Sequence, residues 1–180
     1  LGRGSSCIVY EAETTGKRLS CKYRLKELYP VNITNISRDS ENQLLIGEST
    51  VCDYKKAENV FNNALDLLWE FAYSDTTGCY TVTPLGKFEG ISSQKCRAVY
   101  LITQWMPSDY TDTVNLCGSN DINAAARICR KTTAAAAAFH ELGYINLDIK
   151  PENILYSPKT DNIMLFDTNT IFRPDDPPLY

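Results

Sequence analysis

The sequence predicts an α+β chain in two lobes, a small antiparallel sheet with one helix followed by a mainly helical part. Three observations carry that expectation. Apolar, β-branched runs bounded by turn residues open the chain and recur near its middle. An apolar stripe at helical spacing lies between them, and a second long helical pattern fills the stretch before Gly143.

Taken in order, residues 1–29 read as a strand hairpin: "CIVYEAE" is apolar and β-branched, "TTGK" is a turn, and "RLSCKYRLKELY" alternates well enough for a second strand. Residues 31–53 carry only weak strand hints and read as a loop excursion after Pro30. From Tyr54 to Tyr73 the spacing turns helical, with Val60, Phe61, Ala64, Leu67, Leu68 and Phe71 on one face. "CYTVTPLGKFEG" and "CRAVYLITQWM" then read as two more strands, the second nearly all apolar until it meets the polar "PSDYTDT". A second helix runs from Asp121, an N-cap, to Leu142, with Ile122, Ala125, Cys129, Ala136 and Phe139 expected inward and Gly143 as its stop. Its alanine run is good helix former. A polar turn "SPKTDN", a short strand "IMLFD" and the proline-rich "RPDDPPLY" follow.

At 180 residues the chain can hold one sizeable core or two small lobes. Its 18 basic and 22 acidic residues leave a formal charge of -4, without the basic surplus that a nucleic-acid partner requires. No apolar run reaches the roughly 18 to 20 residues of a membrane span, so the expectation is a soluble, cytoplasmic protein with no membrane partner. The 7 cysteines are scattered without a C-x-x-C pair, and there is a single histidine, so no structural metal is expected and the thiols read as reduced and mostly structural. Two glycosylation sequons begin at Asn32 and Asn35 and would matter only in a secretory compartment. With no initiator methionine, and Leu1 leading into a glycine turn, the sequence reads as part of something longer.

Two stretches carry chemistry. Gly2-Arg3-Gly4-Ser5-Ser6-Cys7 opens the first hairpin, where glycines let backbone N–H groups approach a phosphate with no Cβ in the way; plain hairpin chemistry is the competing reading. "GYINLDIKPENILY" sets Asp148 and Asn153 five apart around Lys150 and Pro151, between apolar flanks. The order of parts is what links them: glycine turn, lysine-bearing strand, helix, two strands, long helix, the D-x-x-x-x-N segment, and a strand ending in Asp167.

In that order the chain resembles the protein-kinase fold along its whole length: "LGRGSSCIVYEA" is similar to the glycine-rich loop, "LITQWMP" to the hinge strand, "FHELGYINLDIKPENILY" to the catalytic loop and "IMLFDTN" to the metal-binding segment. The resemblance implies a small lobe over residues 1–106 and the first part of a large lobe over 107–180, with ATP between them. It implies that Asp148 orients the substrate hydroxyl, that Lys150 steadies the transferring phosphate, and that Asn153 and Asp167 hold Mg²⁺. Gly2, Gly4, Ser5 and Val9 would border the nucleotide, and Thr103, Gln104 and Met106 would line its adenine edge. "KPEN" resembles serine/threonine protein kinases, which implies a protein substrate or partner domain, and "RLKELYP" resembles a bacterial group of kinase-like proteins. The phosphate-gripping lysine is Lys22 or Lys26, which share a strand face, and the "RLKELYP" resemblance favours Lys26. Lys22 has small Ser20 before it as an adenine roof; Lys26 would place Arg24 there.

The chain also departs from the family pattern. Asn146-Leu147-Asp148 stands for His-Arg-Asp and Asp167-Thr168-Asn169 for Asp-Phe-Gly. Losing the arginine removes the usual receptor for an activation-loop phosphate. The helix glutamate that should pair with the lysine aligns near Ala64, with Glu58 and Asp66 as nearby substitutes. His140 reads as a structural histidine at a helix end. Nothing after Asp167 resembles the segments that complete the large lobe. Three functions therefore stand: serine/threonine phosphoryl transfer, a pseudokinase acting as nucleotide-binding or scaffolding module, and a small-molecule phosphotransferase on the same fold.

Overall fold

The computed structural model describes residues 2–3, 6–14, 21–41, 43–91, 97–106, 108–117, 121–167 and 170–175. Gly4, Ser5, Thr168 and Asn169, which carry four of the expectations above, lie outside them. The architecture is α+β and divides into two compact units, residues 1–63 with 84–105, and residues 64–83 with 106–180.

The first unit is built on one antiparallel sheet of strands β1 (Gly2–Arg3), β2 (Cys7–Glu13), β3 (Lys22–Leu28), β6 (Pro84–Ile91) and β7 (Arg97–Gln104), in the order β1-β2-β3-β7-β6. Its alternating sequence gives two faces. Register partners Gly2, Val9, Lys26, Leu101 and Lys87 form one row, and Arg3, Ile8, Glu27, Tyr100 and Phe88 form the adjacent row on the opposite face. Glu27 is therefore turned away from Lys26, and it is 1% exposed. Burying a carboxylate without partners would cost several kcal/mol. The structure meets that demand with Arg38, whose Nη2 bonds both carboxylate oxygens, and with the hydroxyls of Tyr10 at 2.6 Å and Tyr100 at 3.0 Å.

Arg38 comes from the stretch expected to be a loop. Residues 31–50 contain a small hairpin, β4 (Ile36–Arg38) against β5 (Leu44–Ile46), closed by Asp39, whose Oδ1 accepts from the N–H groups of Glu41 and Gln43. Leu44 and Ile46 are buried at 2% and 1%. The weak local strand signal is overridden by a tertiary anchor, with the Arg38 guanidinium also 5.4 Å from the centre of the Tyr29 ring.

Helix α1 (Val51–Ala72) takes the predicted stripe, burying Phe61, Ala64, Leu68 and Phe71. The strand expected from Cys79 begins only at Pro84, because residues 78–80 form a short 3-10 turn. In the second unit, α2 (Thr113–Cys117) and α3 (Ile122–Glu141) accompany a sheet of β8 (Thr111–Asp112), β10 (Ile154–Ser157) and β11 (Asn162–Leu165), in the order β11-β10-β8. A two-stranded ribbon pairs β9 (Ile145–Asn146) with β12 (Ile171–Phe172).

The Asp121 cap forms as expected, its side chain accepting from Ala124 N–H at 3.0 Å. The inward face of α3 differs from the expected one. Ala124, Ile128, Ala135, Ala138 and Phe139 are buried, while Cys129 is exposed and Ile122 is 82% exposed. An alanine-rich helix has little contrast between faces; Phe139 is inward as expected, but the other positions shift by one. The Phe139 ring meets Phe71 edge-on at 4.7 Å, and Phe71 meets Tyr144 the same way at 4.9 Å. These rings centre the core of the second unit, with Ile154, Ile163, Leu165 and Ile171. Of the cysteines whose burial the structure describes, Cys7 is buried, while Cys21, Cys52, Cys79 and Cys129 are exposed rather than core thiols. Among the described residues no helix is long and apolar enough to cross a membrane.

Removing Arg38 strands Glu27, so Arg38→Met is expected to cost roughly 3–5 kcal/mol in urea unfolding. The double variant Glu27→Gln/Arg38→Met should recover much of that loss, and no recovery would show that the charge pair is not the cause. The Tyr10 phenol is pushed up to about 12, chiefly by burial and then by its hydrogen bond to Glu27. Its folded value lies above the ordinary 10.0, so its contribution to stability is complete below about pH 10 and disappears as pH rises towards 12. Ultraviolet titration of Tyr10→Phe against the parent protein should lose one phenol in that late window.

Candidate functional site

The site in the second unit begins where α3 stops. Gly143 adopts φ +81, a left-handed conformation suited to glycine. There Gly143 N–H donates to His140 O at 2.9 Å and Tyr144 N–H to Phe139 O at 2.9 Å, satisfying the last helix carbonyls and turning the chain into β9. His140 itself is an exposed residue of the last helical turn.

From β9 the chain enters the segment 146–153. The Asn146 side chain stands where the resemblance puts histidine, and its Oδ1 accepts from the Asp148 backbone N–H at 2.9 Å and from Thr170 Oγ1 at 3.2 Å. Pro151 pushes the preceding Lys150 into an extended conformation, φ −147 and ψ 159, and opens a 3-10 turn over Pro151–Asn153. The turn is closed by Asn153 N–H donating to Lys150 O at 2.9 Å. Thr113, fully buried at the start of α2, holds the other side, its hydroxyl 2.7 Å from Pro151 O and 3.1 Å from Ile154 O.

That backbone brings three of the expected residues together. Asn153 Nδ2 donates to Asp148 Oδ2 at 2.8 Å and to Asp148 O at 3.0 Å, and Lys150 Nζ lies 2.8 Å from Asp148 Oδ1. With the amide nitrogen so committed, Asn153 Oδ1 makes no hydrogen bond among the described residues and stands as a hard oxygen donor. Asp167 follows closely. The Phe166 N–H donates to Asn153 O at 2.9 Å, and Asp167 then takes φ +58, a left-handed backbone that short polar side chains tolerate. Lys150 is held above its ordinary value, first by its hydrogen bond to Asp148 and further by the charges of Asp148, Glu152 and Asp167.

The nucleotide residues expected in the first unit fall on its sheet. Gly2, Val9 and Lys26 are in one register row, and Thr103, 4% exposed, lies on the same face opposite Arg24. Lys22 is at the exposed start of β3, paired with Glu11 and 5.5 Å from the centre of the Trp105 ring. Gln104 ends β7 and is exposed, and Met106, half-buried, belongs to the second unit. Ala64 is buried and Asp66 exposed on α1, where Glu58 is half-buried. Sequence reasoning missed Thr113, a lone threonine in a polar run with no motif around it. It also read Asn146 only as a lost histidine, although an Asn side chain readily accepts from the backbone N–H two residues on, as it does here from Asp148.

No protein-family model matches the chain. One curated relative is the Rho-associated protein kinase let-502 of Caenorhabditis briggsae, 37% identical over 84 residues. Those residues are 44% of this chain and 7% of that protein's length. The match supports a relationship to protein kinases.

Asp148→Asn removes the first cause of the Lys150 shift while keeping the shape of the turn. The Lys150 ammonium is expected to titrate lower in this variant, towards the ordinary lysine value, in side-chain NMR. An unchanged titration would break the link between the two groups.

Proposed function

We propose that this chain is a protein kinase-like domain that transfers a phosphoryl group from ATP, with Mg²⁺, to a serine or threonine of a protein substrate. The observation that carries the reading is the cluster of Asp148, Lys150 and Asn153, tied by the Phe166–Asn153 hydrogen bond to Asp167. Phosphoryl transfer asks little covalent chemistry of a protein and much positioned charge. Asp148 is oriented from both sides by Asn153 and Lys150, which suits a carboxylate that aligns an acceptor hydroxyl and takes its proton. Asn153 Oδ1 and the Asp167 carboxylate are hard oxygen ligands of the kind Mg²⁺ prefers. When bound, the metal would neutralise charge on the phosphates. Lys150 carries a positive charge beside the same carboxylates and would meet the transferring phosphate.

For the phosphate contact in the first unit, Lys26 is favoured. It shares a row with Gly2 and Val9, whereas Lys22 lies at the exposed start of β3. A second reading, nucleotide binding or scaffolding without transfer, has one observation in its favour. Helix α1 presents a buried alanine, Ala64, where the resemblance calls for a glutamate.

Mg²⁺-ATP is expected to raise the melting temperature, and Asp167→Ala to remove the Mg²⁺-dependent part. Asp148→Asn should abolish radiolabelled transfer, a loss of at least about 100-fold, with ATP affinity nearly intact, whereas Asn153→Ala weakens both. Lys26→Ala should lower ATP affinity more than Lys22→Ala. Bound ATP with no transfer by the parent protein would select the second reading, and equal transfer by parent and Asp148→Asn would remove the catalytic assignment.

A further inference from the structure

Residues 170–173 are held against the site by three sets of contacts. Thr170 O accepts from Leu147 N–H at 3.3 Å and its hydroxyl reaches Asn146 Oδ1, the atom that also holds the Asp148 backbone. Strand β12 pairs with β9, Ile171 opposite Asn146 and Phe172 opposite Ile145, and Ile171 is buried in the core at 6% exposure. Arg173 ends the run. Its guanidinium lies 4.6 Å from the centre of the Tyr144 ring, and its Nη2 is 3.5 Å from Glu70 Oε1 near the end of α1.

Glu70 is itself held, because Tyr144 donates its hydroxyl to Glu70 Oε2 at 2.8 Å and its ring is fixed edge-on against Phe71. An exposed ion pair alone contributes little, since two long side chains must be ordered for a screened attraction. Here the carboxylate is pinned by a buried phenol, and the same phenol offers its ring face to the guanidinium. Burial and the Glu70 hydrogen bond raise the Tyr144 phenol above its ordinary value, so it stays a donor across the physiological range.

We propose that Arg173, seated between Glu70 and Tyr144, is a latch that holds residues 170–173 against the 146–153 loop without any phosphate group. Glu70 and Arg173 act through Thr170 and Asn146 on the placement of Asp148, and so are positioning residues. The polarity is the reverse of a phosphate receptor: the strand after the loop carries the cation and helix α1 the anion. At the position where a receptor arginine would stand, Leu147 is 59% exposed and offers no charge. The relevance of the latch to phosphoryl transfer rests on the kinase reading above; the docking itself does not.

Hydrogen–deuterium exchange on the full chain, without nucleotide, tests the latch separately from that reading. Arg173→Met and Glu70→Gln are each expected to speed exchange in peptides covering 145–148 and 170–173 by roughly threefold to tenfold, with the β2–β3 hairpin unchanged. Tyr144→Phe, which keeps the ring and loses the hydroxyl, should give a smaller increase, and 1 M salt should reproduce part of the effect in the parent protein. Unchanged exchange in both charge variants, or an equal increase throughout the chain, overturns the latch. Where the parent protein transfers phosphate, Arg173→Met should lower kcat and leave the KM for ATP unchanged. A parent protein with the expected exchange pattern but no transfer leaves the latch standing and removes the kinase reading alone.

Discussion

The hydrogen bonds from the Asn153 amide to the backbone and side chain of Asp148 close the loop between them, and the second unit is arranged to keep that closure in register. The two groups lie five positions apart along the chain, and an extended Lys150 followed by a proline-led turn folds that distance back on itself. Each neighbour of the loop supplies one restraint: Thr113 on the turn carbonyls, Asn146 on the Asp148 amide, Phe166 on the Asn153 carbonyl. The result is a set of oxygens and one ammonium on a loop whose backbone is fixed from several sides, which is the positioning the proposed phosphoryl transfer would use.

The first unit depends on a different constraint, the buried charge of Glu27. A carboxylate at 1% exposure is tolerable only because Arg38 and two tyrosine hydroxyls meet it, and those partners come from β2, β7 and the β4–β5 hairpin. Three pieces of chain distant in sequence are thereby fixed to one face of β3. Strand alternation sends Lys26 to the other face, in line with Gly2 and Val9. The polar cluster on one face and the row of Gly2, Val9 and Lys26 on the other thus share one strand, and the orientation of that strand is set by the cluster.

The elements with strong local signals were legible. The α1 stripe, the Asp121 cap and the Gly143 stop needed no partner to be recognised, because periodicity, a capping oxygen and a left-handed glycine are properties of a few adjacent residues. The cluster residues were legible too, through spacing and resemblance: Asp148, Lys150 and Asn153 do meet. Other features were not. On α3 Phe139 was rightly expected inward, but Ile122, Ala125, Cys129 and Ala136 were not the positions buried with it, since the alanines on every side give the helix little contrast between faces. The hairpin within residues 31–50 is short and polar, and its anchor is a residue on β3.

What the sequence by itself determined is therefore local: where helices start and stop, which strands alternate, and which acidic, amide and basic groups lie within one loop of each other. Only the tertiary structure decided which groups are paired across the chain, Glu27 with Arg38, Thr113 with the Pro151 turn, Glu70 and Tyr144 with Arg173. The physical reason is the range of the forces. Backbone preference and capping act over a few residues, whereas burying a charge or a hydroxyl demands a partner from anywhere the fold can bring one.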